Sequence, residues 1–337
     1  MPNPSIRSRI AGTGMFVPDR VVTNADLTKW MDTSEEWIEQ RTGIRERRWV
    51  EPGQKPSDLA REATLAALAD AELEVRDLDC ILLATLSAEH DFPGTSFFLH
   101  EAIDAGEIPC IDLRAQCSGF LYGLQMADAL IVAGRYRRVL VVGCEVHSTG
   151  LDVSTAGRDV TVIFGDGAGA VVLEAVDAAA GTGVLSVRLH AEGKHARRLW
   201  LEAPSSAAPQ RVCQAMIDDR RIYPSMDGRF VFKHAVTRMP EVLMETLDAA
   251  SVKLDDVDLF LFHQANLRIN EAVAQKLEIP TAKVFNNIQR LGNCSAGALP
   301  ILLAEASREG RLEPGQLVSL TAFGSGFTWG SALLRWG

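Results

Sequence analysis

Three side chains of this chain have the types and order that covalent chemistry uses: Cys117, His263 and Asn293. Cys117 stands in Gln116-Cys117-Ser118-Gly119. The apolar run Ile108-Pro109-Cys110-Ile111-Asp112-Leu113 precedes it and reads as a buried strand, and apolar residues at helical spacing follow from Phe120 to Ala133. That spacing puts Cys117 where a strand turns into a helix N-terminus. Unpaired backbone N–H groups and the positive dipole end of such a turn favour thiolate over thiol. A thiolate aimed out of the turn is a nucleophile; a buried structural thiol is the competing use of a cysteine.

The elements that would position these residues come in two copies. Leu68, Ala71, Asp77, Asp79 and Leu82 correspond to Leu247, Ala250, Asp256, Asp258 and Leu261 at a constant offset of 179 residues (247 − 68). Each copy reads as a helix, an acidic turn and a strand, Cys80 to Thr85 in the first and Leu259 to Phe262 in the second. Gln116-Cys117-Ser118-Gly119 pairs with Asn293-Cys294-Ser295-Ala296, and Phe164-Gly165-Asp166-Gly167 with Phe323-Gly324-Ser325-Gly326. The chain therefore divides at residues 1–177 and 178–337, the first half carrying the cysteine and the second the histidine and asparagine. The strands Val139-Leu140-Val141-Val142 and Leu317-Val318-Ser319-Leu320 are nearly all apolar, as in sheets covered on both faces. A layered α/β fold follows, with a site between the halves. Gly165-Asp166-Gly167-Ala168-Gly169 lacks the strand–glycine loop–helix context of a phosphate cradle and runs into a strand instead.

Cysteine, histidine and asparagine in this order are also the arrangement of papain-like hydrolases. Against that reading, Cys117 lacks the surrounding Cys-Gly-Ser-Cys-Trp pattern, and such hydrolases are not internally duplicated. The pairing of the two turns also puts Asn293 at the position matching Cys117, at symmetric helix starts facing one cleft, with His263 at a strand end beside them.

The totals limit the partners. With 337 residues, 47% hydrophobic and 23% charged, the chain is long enough for one large domain or two ordinary ones. A net charge of −10 argues against unspecific nucleic-acid binding. The six cysteines show no metal-type spacing or CxxC pair, the usage of a reduced, cytoplasmic protein. The start, Met1-Pro2-Asn3-Pro4-Ser5-Ile6-Arg7, has no apolar signal core, and no apolar run is long enough for a membrane span.

Several longer stretches make a resemblance specific. They are Gly12-Thr13-Gly14 with Val21-Val22-Thr23-Asn24, Asp32 to Ile38 with Arg41-Thr42-Gly43-Ile44, Ile163 to Ala170, His263-Gln264-Ala265-Asn266-Leu267-Arg268-Ile269, and Phe323 to Gly330. Over nearly its whole length the chain resembles β-ketoacyl-acyl carrier protein synthase III, of the thiolase superfamily. The resemblance implies a thiolase-like αβαβα fold of two duplicated halves. It also implies an acyltransferase of fatty acid or related polyketide synthesis that needs no cofactor and no metal. Such enzymes load an acyl group from coenzyme A onto cysteine. They then condense it with malonyl-acyl carrier protein and release carbon dioxide.

Carried over by position, Cys117 matches the acylated nucleophile, and His263 and Asn293 match the pair that drives decarboxylation. The backbone N–H groups of Cys117 and Ser325 match the oxyanion hole, although the family usually has glycine where Ser325 stands. Elongating synthases have a second histidine in place of Asn293. Ala84-Thr85-Leu86-Ser87 lacks the glutamate that hydroxymethylglutaryl-CoA synthases carry there. Cys294 is read as packing. Trp37, Arg41 and Arg158 match the residues that hold the coenzyme A nucleotide, where an indole face and guanidinium groups suit a purine. Gln264, Ala265, Asn266, Leu267, Arg268 and Lys233, with Arg238 and Lys276 nearby, match the surface that docks the acidic carrier protein. Phe92 matches a residue that reaches into the acyl pocket of a partner subunit, which implies a homodimer. Primer length and branching are not fixed by the sequence. Relatives that transfer the acyl group to another acceptor without decarboxylation remain the alternative.

Overall fold

Strands whose alternate residues face different cores explain why they are apolar throughout. In the computed structural model, which describes residues 5–337, two five-stranded sheets lie on either side of a shared helical layer. The reading of the chain's first four residues lies outside the described residues. The first sheet holds β1 (Ile6–Phe16), β2 (Cys80–Ala84), β3 (Cys110–Leu113), β4 (Arg138–Glu145) and β5 (Gly167–Asp177), in the order β1-β5-β4-β2-β3. The second holds β6 (Gly183–Ala191), β7 (Leu259–Phe262), β8 (Val284–Phe285), β9 (Leu317–Gly324) and β10 (Thr328–Arg335), in the order β8-β7-β9-β10-β6.

The main helices are α1 (Glu35–Thr42), α2 (Pro56–Asp70), α3 (Thr95–Ala102), α4 (Gly119–Val132), α5 (Gly228–Ala249), α6 (Leu267–Lys276) and α7 (Ala298–Arg308). Cys80 and Leu82 of β2 join Leu259 and Leu261 of β7 in one central core with Phe120, Leu124, Leu299 and Leu302 of α4 and α7. Ile81 and Leu83 face the opposite way, into a core with α2 and α3. Phe260 and Phe262 likewise face α5 and α6. The layers are thus helix, sheet, helix, sheet, helix. A strand in such a stack has no solvent face, so both of its residue sets are apolar.

The duplication is visible in the register. Cys80 of β2 stands opposite Val139 of β4, and Leu259 of β7 opposite Val318 of β9, the same pairing 179 residues on. In both copies the parallel pair is followed by an antiparallel neighbour, β5 or β10. Three expectations are corrected at this level. The Ile108–Leu113 run forms an edge strand and not a buried one: Ile111 is 47% exposed, because β2 pairs with β3 on one side only.

The matching of the two turns is also shifted by two residues. Gln116 and Ser295 share a left-handed backbone, φ 45° and 44°, and each opens a short 3-10 turn that leads into α4 or α7. Ala296 is therefore the counterpart of Cys117, and Asn293 precedes the matched turn. The 179-residue strand register likewise pairs Gly324 with Glu145, the last residue of β4, and not with Gly165. The first copy carries a long insertion between β4 and β5, residues 146–166, where the second has only Ser325 to Phe327. That insertion holds Arg158. The glycine-rich stretch at 165–169 serves packing: a Cβ on Gly169 would lie 2.4 Å from the Ile301 nitrogen of α7.

Candidate active site

Cys117 lies in the turn Gln116–Ser118, buried at the junction of the two halves. The end of β9 closes over it. A Cβ on Gly324 would stand 2.7 Å from the Cys117 Cβ and 3.0 Å from its nitrogen, so only glycine lets this strand end reach the turn. The residue after it, Ser325, turns its N–H toward the Cys117 sulfur, as does the N–H of Cys117 itself. Ser325 is fixed from both ends. Its hydroxyl donates to the Leu199 carbonyl, and its carbonyl accepts from Thr328 Oγ1 at 3.1 Å. Thr328 Oγ1 also lies 3.3 Å from Ser118 Oγ. The serine at this position thus ties the strand end to the Leu199–Trp200 segment.

Burial pushes the Cys117 thiol up to about 11, beyond the opposing effect of the Ser295 hydroxyl and the two N–H groups, with the nearby Glu145 carboxylate adding to the rise. The N–H groups of the turn favour the thiolate as expected, and burial opposes it. α4 begins at Gly119, two residues past the cysteine, so Cys117 lies ahead of the helix in the 3-10 turn. The resting sulfur is a thiol whose side-chain neighbour is Ser295 Oγ at 3.3 Å.

His263 follows the last residue of β7, and its N–H donates to Thr321 of the adjacent β9, the strand that ends at Gly324. The imidazole is buried, and neither ring nitrogen has a hydrogen-bond partner among the described residues. Burial pushes it down to about 3, so it is neutral at physiological pH. Asn293 is tied to the first half. Its N–H donates to Ile163, its carbonyl accepts from Gly165, and it forms a parallel bridge with Phe164. Its side-chain Oδ1 accepts the N–H of Ser295 at 2.8 Å. A backbone N–H can only donate, so the amide is oriented with its NH2 as the remaining group. The structure therefore brings Cys117, His263, Asn293 and Ser325 to one place, the ends of β7 and β9 and the two matched turns. Cys117 is not bonded to His263 here, nor His263 to Asn293, unlike the relay of a papain-like hydrolase.

Trp37 and both expected arginines also meet. The Arg41 and Arg158 guanidinium carbons lie 4.6 Å and 4.5 Å from the centre of the Trp37 ring. Arg158 Nη1 donates to the Asp32 carbonyl at 2.8 Å, and a polar cleft of about 280 Å³ lined by Gly157, Asp159 and Arg220 opens beside it.

The His263–Ile269 motif divides. Gln264 is fully buried: Nε2 donates to Phe262 and Asn286, and Oε1 accepts from Asn287 and Ile288. It braces the strand end and cannot touch a docking partner, which corrects its assignment to the carrier surface. Asn266 Nδ2 donates to the Arg41 carbonyl, while Arg268 donates to the Gln40 and Glu39 carbonyls and pairs with Glu271. These two residues close the last turn of α1, the helix that carries Trp37. Leu267 packs against Gly43 at the same joint, and Ala265 is half-buried. Lys233 is exposed on α5. Phe92 is 84% exposed, with Phe97 and Ile111 also exposed near the free edge of the first sheet.

Two residues at the site were not found in the sequence, Ser295 and Glu145. The signal for Glu145 is a carboxylate closing an otherwise apolar strand; nothing in the local sequence marks Ser295. Cys294 is buried, and its thiol is pushed strongly up by burial and by Asp166 and Glu145. No group of three or more His, Cys, Asp or Glu is placed to hold a metal, and no helix is long and apolar enough to cross a membrane, among the described residues.

Two family models match the chain: 3-oxoacyl-acyl-carrier-protein synthase III over residues 111–193, and the C-terminal part of the same enzyme over residues 247–336. The chain is 43% identical over 327 residues to the β-ketoacyl-acyl-carrier-protein synthase III of Roseiflexus castenholzii, covering 97% of each chain. It is 44% identical over 334 residues to that of Rhodospirillum rubrum, covering 98% of this chain and 99% of the relative. Among solved structures, the 3-oxoacyl-acyl-carrier-protein synthase III of Aquifex aeolicus superposes with a TM-score of 0.89 at 42% identity, over 98% of this chain and 100% of that one.

Proposed function

The chain belongs to the β-ketoacyl-acyl carrier protein synthase III family of acyl-transferring condensing enzymes, and on that premise we propose how its residues divide the reaction. Cys117 takes the acyl group from an acyl-coenzyme A. The sulfur–acyl bond forms as the coenzyme A sulfur leaves, and the thiol proton passes to the departing thiolate. The N–H groups of Cys117 and Ser325 hold the oxyanion of the tetrahedral intermediate. The nucleotide end rests on Trp37 with Arg41 and Arg158, one guanidinium yielding its place on the indole face to the purine.

Malonyl-acyl carrier protein then enters. The bond to its carboxylate breaks, carbon dioxide leaves, and the electron pair moves onto the thioester oxygen as an enolate. A neutral imidazole N–H from His263 and the amide NH2 of Asn293 stabilise that charge. The enolate carbon attacks the acyl carbon, the acyl–sulfur bond breaks, and Cys117 leaves as a thiolate that takes a proton from solvent to regain its resting thiol. The observation that carries this reading is the Asn293 amide. Its oxygen accepts the Ser295 N–H, which orients the amide with its NH2 left for the site, and a donor is what an enolate oxygen requires. A hydrolytic relay would need that oxygen to orient a histidine.

In this reading residues 1–177 form the half that supplies the nucleophile and residues 178–337 the half that supplies the donors. The carrier protein docks through Lys233 and neighbouring exposed residues, with Arg268 contributing from the joint it already holds. The exposure of Phe92, Phe97 and Ile111 supports a homodimer across the free edge of the first sheet. The cysteine usage supports a cytoplasmic location, and the chemistry drawn here uses no cofactor beyond the coenzyme A thioester. The test is turnover: with an acyl-coenzyme A and malonyl-acyl carrier protein the enzyme should release carbon dioxide and form a β-ketoacyl-acyl carrier protein. Acyl transfer without carbon dioxide release would point to the non-decarboxylating relatives.

A further inference from the structure

Glu145 is a fully buried carboxylate that the reaction as drawn above does not use. It closes β4 as Gly324 closes β9, and the two positions are counterparts in the duplication. Their surroundings are related in the same way. Gly324, without a side chain, lies against the nitrogen of Cys117 and sets no acceptor of its own on that N–H, which faces only the Cys117 sulfur. Glu145 lies against the nitrogen of Ala296, the counterpart of Cys117, and its Oε1 accepts that N–H at 3.4 Å. In one half the turn's N–H faces the reactive sulfur, where a substrate oxyanion would form; in the other it is filled by the protein's own carboxylate.

The other bonds of Glu145 reach outward. Ser87 Oγ donates to it at 2.6 Å and the Ser87 N–H at 3.1 Å, the Leu86 N–H donates at 3.2 Å, and Thr85 Oγ1 at 3.3 Å. One side chain therefore joins the loop after β2, the end of β4 and the turn of residues 295–297. That turn begins at Ser295, whose hydroxyl meets the Cys117 sulfur and whose N–H orients Asn293.

We propose that Glu145 is a positioning residue for the condensation: by holding the Ala296 N–H it fixes the turn that sets Ser295 on Cys117 and aims the Asn293 amide. This rests on the role of Asn293 given above. Burial pushes the carboxyl up to about 7 against the four hydrogen bonds that lower it, from the Ser87 hydroxyl and the Leu86, Ala296 and Ser87 N–H groups, so the clamp is held by a group kept in place at considerable desolvation cost.

The experiment compares wild type, Glu145→Gln, Ser295→Ala and the double variant with a saturable acyl-coenzyme A and malonyl-acyl carrier protein, together with thermal unfolding of each. Glutamine keeps the size and one acceptor oxygen. The expected result is a fall in kcat of at least tenfold in Glu145→Gln, with KM for acyl-coenzyme A within about twofold of wild type. The double variant should lose little more than the worse single one, because the two residues act through one turn. A kcat within twofold of wild type, a change in KM alone, or fully additive losses would overturn the proposal.

If Glu145→Gln does not fold, Ser87→Ala replaces it. That variant removes the 2.6 Å donor outside the catalytic turn, and the same cycle with Ser295→Ala must still be non-additive. A wild-type enzyme that fails to release carbon dioxide would refute the assigned reaction and not the clamp. An active wild type with an unaffected Glu145→Gln refutes the clamp alone.

Discussion

Asn293 Oδ1 accepts the Ser295 N–H at 2.8 Å, and this bond orients the amide so that its NH2 is left for the site. Replacing Asn293 with aspartate keeps the acceptor and loses the donor. The backbone should stay as it is, while condensation falls by about two to three powers of ten, the usual cost of one such donor. His263→Ala should show a similar loss. Loading of Cys117 should fall much less in either variant. Rapid-quench measurement of the acyl-enzyme separates the two half-reactions, and equal losses in both would make His263 the base for Cys117.

The thiol at Cys117 gives a pH signature. Its value of about 11 means the thiolate fraction rises about tenfold per pH unit over the working range. Alkylation by iodoacetamide should therefore climb steadily from roughly pH 7 to pH 10. A plateau below neutrality, as a thiolate–imidazolium pair would give, contradicts the assignment. His263 should not shape the acid side of turnover, because a group held down at about 3 stays a neutral donor throughout.

The strand end over Cys117 leaves no room. Gly324→Ala places a Cβ 2.7 Å from that of Cys117, and acyl loading should drop by about two powers of ten. Ser325→Gly keeps the N–H and should load within a few-fold of wild type, losing only the bond to Leu199. A larger defect in Ser325→Gly than in Gly324→Ala would show that the hydroxyl, not the close approach, sets the oxyanion hole.

Much of this architecture could be read in advance, and the limits have physical reasons. The helix–turn–strand repeat was legible because both copies bury the same face at the same spacing, as Leu68 and Leu247 do. The alignment of the catalytic turns was not, because Gln116 and Ser295 match in backbone conformation and not in side chain. The nearby Cys294 then drew the pairing off by two residues. Gln264 reads as a surface residue only because the resemblance carries its whole motif to the docking face; three of its four hydrogen bonds go to residues 286–288, distant in sequence. The thiol state of Cys117 depends on burial from both halves, which no local pattern records.

Gln264→Ala should behave as a stability variant. It removes the acceptor of the Asn287 and Ile288 N–H groups, and a buried donor left without a partner costs about 1–3 kcal/mol. The thermal midpoint should fall, with KM for malonyl-acyl carrier protein unchanged by more than about twofold. A raised KM with unchanged stability would return Gln264 to the docking surface.

Trp37 is tested by trimming the substrate. Trp37→Ala should raise KM for acyl-coenzyme A by roughly tenfold, in line with the loss of one aromatic contact with its cationic neighbours. KM for the corresponding acyl-pantetheine, which has no nucleotide, should not change. An equal rise for both would mean that the indole supports the fold of α1 and not the ligand.

The central claim is that Cys117 carries the acyl group between two half-reactions. It is tested most directly by intact-protein and peptide mass measurement after mixing the enzyme with acyl-coenzyme A, then with malonyl-acyl carrier protein. The account predicts one acyl increment on the peptide containing Cys117, none in Cys117→Ala, and its discharge with carbon dioxide release only when the malonyl thioester is added. An increment that persists in Cys117→Ala, or that lies on Cys294, would contradict it.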